Sequence, residues 1–289
     1  TPPKTSSAAS DVYKRQVEIN YYELSHIIFT IIYNRKMEII SLDHQLYVLM
    51  AAVFFVAGII QGLFGMGLPA IGIALLSVFI PPLEAIGLNI IPIFLVSFFQ
   101  VFQTGNPIPI INKYRIFVIS SIIVGFLISF LVVLLGDRAL MTILATVVIL
   151  FSLNNIFSKR LIISEIFDKQ WQLFFGIVSG IVGGLTSILG VVGVLYLSMK
   201  NLKPNQFVAG NGLFIFIGCV SVGTGYLLSG VLQSYMLLPA LFGTLSAFLG
   251  FYLGSFLRNF LSPQNFYKII WFLFLITGIR LAITAISKF

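Results

Sequence analysis

The chain has 289 residues, of which 58% are hydrophobic and only 9% are charged. Soluble globular domains average about 45–50% apolar and about 25% charged residues, so this composition cannot cover a water-facing surface. It excludes a typical cytosolic enzyme, a disordered protein and a nucleic-acid-binding protein. The formal net charge of +8 fits either an excess of Lys and Arg in cytoplasmic loops or the attraction of an anionic substrate.

The residues that usually carry metal or catalytic chemistry are scarce. Cys219 is the single cysteine, and the two histidines, His26 and His44, precede the main apolar runs. The single cysteine excludes a disulfide framework or a thiolate metal cluster, and the positions of the histidines leave no two-His metal site or His-based catalytic relay within the main apolar runs. We therefore expect no cofactor, no metal and no enzymatic activity.

The first 36 residues differ from the rest. The chain begins with Thr1 rather than Met, and residues 7–16 resemble translated sequencing-adapter sequence. We interpret residues 1–36 as a non-native or disordered extension, with Met37 as a sensible start. The alternative is an amphipathic helix over residues 19–33 that lies on the membrane surface.

From residue 45 the sequence consists of apolar runs separated by short interruptions. A polar linker over 158–170 divides these runs into two sets. The runs cover residues 46–64, 70–80, 85–104, 116–135, 140–157, 171–182, 188–199, 207–228, 231–257 and 266–286. We therefore predict one transmembrane domain over 37–289, with repeat 1 at about 45–157 and repeat 2 at about 171–286.

The two sets also match residue by residue. Four glycines in each half are separated by 118 positions: Gly58, Gly62, Gly65 and Gly72 correspond to Gly176, Gly180, Gly183 and Gly190. A second group is separated by 122 positions: Pro82, Glu84 and Asn89 correspond to Pro204, Gln206 and Asn211. This shared order indicates an internal duplication.

The short runs determine the expected geometry. The 11 residues over 70–80 would form a helix of about 16 Å, roughly half of a 30 Å hydrocarbon core. We therefore predict an all-α polytopic membrane protein of two homologous inverted repeats. Each would contain a Gly-broken re-entrant helix hairpin plus three transmembrane helices.

In the alternative topology, each short run re-enters the membrane alone and the repeats are parallel. The distribution of Lys and Arg favours inversion, with the C-terminus outside.

The glycine and Pro–Glu–Asn motifs resemble those of a known family. The sequence around Gly58, Gly62, Gly65 and Gly67, followed by Pro82, Glu84, Ala85 and Asn89, is similar to the TauE/SafE sulfite exporter family. The resemblance covers about residues 45–286 and includes Gly278, Arg280 and Leu281 near the end. It implies a transporter of sulfite, sulfonates or related anions, mostly in bacterial inner membranes. The chain departs from the pattern at Met66, within the usual glycine triplet.

The broken helices suggest a substrate site. A helix break leaves unpaired N–H groups and the positive end of a helix dipole, which suit an oxyanion. The candidate residues at the two breaks are Gly65, Met66, Gly67, Gly183, Gly184, Thr186 and Ser187. For Gly58, Gly62, Gly176 and Gly180, whose spacing is small-xxx-small, close helix packing is the preferred interpretation.

Other polar residues in the apolar runs are weaker candidates. Asn89 and Asn211 either face a central cavity and bind substrate or form an interhelical hydrogen bond. Gln61, Gln100 and Gln103 could line the path. Arg280 could act in gating or extend to the interface. Glu84 could carry a proton or could simply stabilise a helix N-terminus.

The leading hypothesis is a secondary transporter in the lipid bilayer that exports a small anion, such as sulfite or an organosulfonate, by alternating access around the paired glycine-rich helix breaks. The first alternative is a channel-like anion pore, and the second is a non-transporting subunit of a complex. Homo-oligomerisation is left open. The sequence does not select the substrate, the direction of transport or the coupling ion.

Overall fold

Helices account for every regular element in the described part of the chain. The computed structural model describes residues 44–103, 107–157, 165–200, 202, 204–260 and 263–287. The extension over 1–36, the start at Met37 and the first part of the linker lie outside these ranges. The predictions made for them stay predictions.

The helices follow the predicted apolar runs closely. The first half contains α1 (His44–Phe64), α2 (Leu68–Leu76), α3 (Pro82–Gln103), α4 (Ile108–Lys113), α5 (Arg115–Ser129) and α6 (Asp137–Phe157). The second half contains α7 (Asp168–Thr186), α8 (Val191–Ser198), α9 (Pro204–Leu228), α10 (Leu237–Arg258) and α11 (Pro263–Ser287). The short helix α4 was not predicted, because its six residues are too few to form a recognisable apolar run.

Five helices within the described ranges are long and apolar enough to cross a membrane. These spans are Tyr47–Phe64, Pro82–Phe102, Arg115–Leu134, Gln206–Leu228 and Ser234–Arg258. Their outer faces keep large apolar side chains exposed, including Leu127, Leu245 and Leu249. Such surfaces are stable in lipid rather than in water. The prediction of an all-α, multi-pass membrane protein is thereby confirmed.

Glycines bring two pairs of helices into close contact. A Cβ added at Gly58 or Gly62 of α1 would overlap the carbonyl oxygen of Ala247 or Phe251 on α10. The order of these contacts makes α1 and α10 parallel. This is the close packing expected from the small-xxx-small spacing.

The same arrangement joins α7 to α5. A Cβ added at Gly176 would overlap the Ser120 hydroxyl, and one at Gly180 would lie 2.7 Å from Cβ of Val124. These two helices are therefore also parallel. The first helix of each half thus packs against the helix that forms the fourth predicted apolar run of the other half.

The third helices of the two halves run in opposite directions. Near the start of α9, Gln100 of α3 donates a hydrogen bond of 2.8 Å to the carbonyl of Val208. Farther along α9, Phe94 stacks on Phe216 with ring centroids 5.3 Å apart. Since the contact moves backward along α3 as it moves forward along α9, these helices are antiparallel.

Candidate functional site

The first helix break lies between α1 and α2. Gly65 has φ 73° and Gly67 has φ 120°, both in the left-handed region that favours glycine. Gln61 stabilises the turn, because its Oε1 accepts a 3.1 Å hydrogen bond from the backbone N–H of Leu68. Pro69 then occupies the first turn of α2, where a missing N–H is harmless.

The second break lies between α7 and α8 and uses different residues. Ser187 has φ 59° and is the one non-glycine residue in the left-handed region among the described residues. The Thr186 hydroxyl donates to the Val182 carbonyl at 2.6 Å and accepts from the N–H of Ile188 at 3.2 Å. The second short helix begins at Val191, a few residues later than the sequence predicts.

Both breaks contact α9. The Gly65 turn is beside Val208, one turn from the start of that helix. The carbonyl of Gly184 accepts a hydrogen bond of 3.0 Å from the Tyr226 hydroxyl, two residues before the helix ends. Both breaks therefore pack against α9. That they belong to re-entrant hairpins stays a prediction.

The Gly65 carbonyl is the centre of a buried amide network, here called the Gly65 cluster: Gly65, Gln61, Gln100 and Asn211. The carbonyl accepts hydrogen bonds from Gln61 at 3.3 Å, from Gln100 at 3.1 Å and from Asn211 at 3.0 Å. Gln61 also donates to Oε1 of Gln100 at 2.7 Å. The network joins α1, α3 and α9 and uses amide donors that the sequence assigned to the path or the substrate site.

The two asparagines rest against equivalent glycines. A Cβ added at Gly72 would lie 2.7 Å from Oδ1 of Asn89. One added at Gly190 would lie 3.1 Å from Nδ2 of Asn211. Asn89 donates to the carbonyl of Pro69 at 2.8 Å. In the described structure the buried Oδ1 atoms of both asparagines have no hydrogen-bond partner.

A small cavity lies between the two short helices. Its volume is about 10 Å³, and it is lined by Met66, Gly67, Pro69, Ala70, Ile188, Gly190, Val191 and Ile215. Pro69 and Ala70 belong to the first turn of α2, whereas Gly190 and Val191 begin α8. The positive N-terminal ends of two helices therefore border one enclosed space near the middle of α9. The cavity has room for about one water molecule.

The remaining candidates occupy different places. Gly183 packs against the Leu189 side chain rather than lining the cavity. Ser187 is fully buried, and its hydroxyl has no partner within the described ranges. Glu84 lies in the first turn of α3, and Arg280 is exposed on α11. The side chain of Gln103 lies outside the described residues.

A polar cluster at the start of α7 was not anticipated from the sequence. Asp168 forms an ion pair with Lys200 and accepts hydrogen bonds from Tyr196 at 2.7 Å and from Gln172 at 3.0 Å. Burial alone would raise the pKa of Asp168, but these bonds from Lys200, Tyr196 and Gln172 lower it below its usual value. Gln172 also donates to the carbonyl of Lys113 at 3.0 Å. No sequence motif points to this cluster, because its members come from three separate segments.

The comparison with family models agrees with the motifs and the helical architecture. Residues 50–281 match the model of the Sulfite exporter TauE/SafE family. The chain belongs to this family. No curated protein matches the chain, and no solved structure does.

Membership in the TauE/SafE family confirms the resemblance drawn from the glycine and Pro–Glu–Asn motifs. Together with the apolar helices it identifies the chain as a multi-pass membrane transporter. The family is one of exporters rather than enzymes.

Proposed function

We propose that this TauE/SafE protein is a secondary transporter that exports a small anion, such as sulfite or an organosulfonate, by alternating access. The observation that carries the proposal is the enclosed cavity bordered by the N-terminal ends of α2 and α8. The positive ends of two helices favour an anion there without a bound cation. Gly67 and Gly190 have no side chain, so the backbone can approach a ligand at these two positions.

The antiparallel packing of α3 and α9 supports two inverted repeats with re-entrant hairpins. Asn89 rests on Gly72 and Asn211 rests on Gly190, so corresponding residues make corresponding contacts. The reciprocal pairing of α1 with α10 and of α7 with α5 agrees with the same relationship. Inverted repeats allow one structure to open alternately to the two sides of the membrane.

The size of the cavity favours alternating access over an open pore. A space of about 10 Å³ accommodates about one water molecule, and an oxyanion such as sulfite is several times larger. The structure is therefore a closed state in this mechanism. Rocking of the repeats would separate α2 from α8 and admit the anion. We place the protein in a bacterial inner membrane with its C-terminus outside, because Lys and Arg then accumulate on the cytoplasmic side.

Flux measurements on the full chain in proteoliposomes test this proposal. We expect saturable uptake of sulfite or sulfoacetate, accelerated by unlabelled anion on the opposite side. Ala70→Val and Gly190→Ala should reduce flux at least tenfold, because both add atoms to the lining of the cavity. Gly136→Ala is the matched control, since nothing lies within 4 Å of an added Cβ there.

The alternatives give different results in the same experiment. A channel-like pore would show flux that does not saturate and is not accelerated by counter-anion. A non-transporting subunit would show no flux with sulfite, sulfoacetate or sulfate. Either result would reject the proposed mechanism, and a pH gradient applied across the vesicles would identify proton coupling.

A further inference from the structure

The end of α10 carries a second group of buried polar atoms, on residues that do not line the cavity between α2 and α8. Ser255 and Arg258 are three positions apart on α10, so their side chains are neighbours on one face of the helix. Within the described residues, Oγ of Ser255 and both Nε and Nη1 of Arg258 are buried and have no hydrogen-bond partner. An arginine with two buried, unused donors is costly in a folded protein.

These atoms continue the face of α10 that packs against α1. On this face, a Cβ added at Gly254 would overlap the Ile59 carbonyl and would lie 2.9 Å from the backbone N of Leu63. The backbone N of Ser255 is 2.7 Å from a Cβ added at Gly62. Since α1 ends at Phe64, Arg258 lies one turn farther along α10, beside the end of α1.

The group supplies hydrogen-bond donors and a positive charge. Arg258 offers only donors and a permanent positive charge, and the Ser255 hydroxyl can add a donor from the same face. A guanidinium holds an oxyanion through two parallel N–H···O bonds. A ligand with several acceptor oxygens and a negative charge would satisfy all three atoms at once.

We propose that Arg258 and Ser255, which do not line the cavity between α2 and α8, form an oxyanion-binding site at the end of α10. The ligand is either a free oxyanion of the sulfite or phosphate type or the phosphate of an anionic lipid. This site goes beyond the proposed transport function, and its test is equilibrium binding rather than flux. A chain that binds but does not transport would contradict only the proposed function.

The free-anion arm uses the full chain in nanodiscs of uncharged phosphatidylcholine. Sodium sulfite and sodium phosphate are titrated against sodium chloride at equal ionic strength, and binding is measured by calorimetry. Arg258→Gln should weaken binding at least tenfold, and Ser255→Ala about threefold. Arg258→Lys keeps the charge but loses the planar pair of donors, and it should bind several-fold more weakly. Arg115→Gln, at an exposed arginine, is the control and should bind within twofold of the unaltered chain.

The lipid arm counts the phosphatidylglycerol molecules that stay bound in native mass spectrometry. If a lipid is the ligand, one phosphatidylglycerol is lost in Arg258→Gln and kept in Arg115→Gln, while the free anions show no titration. If a free oxyanion is the ligand, the titration depends on Arg258 and the lipid count does not. If Arg258→Gln does not fold, the comparison of Arg258→Lys and Ser255→Ala with Arg115→Gln replaces it. The proposal fails if neither arm responds to changes at Arg258 and Ser255.

Discussion

Asn211 donates a 3.0 Å hydrogen bond to the carbonyl of Gly65, which lies 146 residues earlier in the chain. The bond joins α9, in the second half of the protein, to the helix break in the first half. Because Gln61 and Gln100 of the first half and Asn211 of the second half all donate to this carbonyl, the position of the first break depends on both halves. In the proposed mechanism, the Gly65 cluster would therefore couple the two halves at a point where one moves relative to the other.

Removing the Asn211 amide should destabilise the fold. Asn211→Ala loses one donor to a carbonyl that keeps two others, so we expect a loss of about 1–2 kcal/mol in the free energy of unfolding. Asn211→Asp should lose more, because a carboxylate cannot donate to the Gly65 carbonyl and would be buried without a partner. Unfolding in detergent measures both, and Asn112→Ala, at an exposed asparagine, should change stability little. Equal effects at the two asparagines would contradict this role.

Gln61 and Gln100 should act as a unit. Their side chains share a 2.7 Å hydrogen bond and both donate to Gly65. In a double-mutant cycle with Gln61→Leu and Gln100→Leu, we expect a coupling energy of about 1–2 kcal/mol. Independent effects that simply add would show that the network is not cooperative. Gln233→Leu, at a glutamine outside the Gly65 cluster, provides the reference for additivity.

The position of Gly62, where α1 contacts α10, should tolerate no side chain. Gly62→Ala would place a Cβ against the Phe251 carbonyl and 2.7 Å from the backbone N of Ser255, so the helices must separate. We expect a loss of about 1–3 kcal/mol in stability from this overpacking. Gly136→Ala, which adds a Cβ in open space, should have little effect. A thermal unfolding midpoint for Gly62→Ala that equals that of the control would contradict the close packing.

Protonation of Asp168 should loosen the contact between α7 and α8. Its bonds to Lys200 and Tyr196 hold the pKa of Asp168 below its usual value. A depressed carboxyl pKa contributes stability at neutral pH, and that contribution is lost as pH falls through the folded-state value. We therefore expect the unfolding midpoint to fall more steeply below about pH 4 in the unaltered chain than in Asp168→Asn. Asp137→Asn, at the start of α6, is the control and should keep the steep dependence.

Much of the fold follows from hydropathy alone. The apolar runs predicted most helices to within a few residues, because a lipid-exposed helix must keep its backbone bonds internal and its surface apolar. The sequence pairs Gly72 with Gly190 and Asn89 with Asn211, and in the structure each asparagine packs against the glycine of its own half. The glycine spacing likewise predicted that α1 and α7 each pack closely against another helix.

The sequence could not provide the partners of polar side chains or the start of the second short helix. That helix begins at Val191 rather than at residue 188, after a left-handed turn at Ser187 that the apolar run does not mark. The ion pair of Asp168 with Lys200 and the unused donors of Arg258 depend on contacts between distant segments. No local pattern encodes such contacts.

The closed cavity between α2 and α8 has a consequence for ligand affinity. If the anion binds only an open conformation, the measured dissociation constant equals the intrinsic value divided by the open fraction. In the proposed mechanism the hydrogen bonds of the Gly65 cluster would favour the closed conformation, and they would weaken the apparent affinity while they stabilise the protein. We therefore expect variants of this cluster that are less stable to bind the transported anion more tightly, provided that the helices remain assembled.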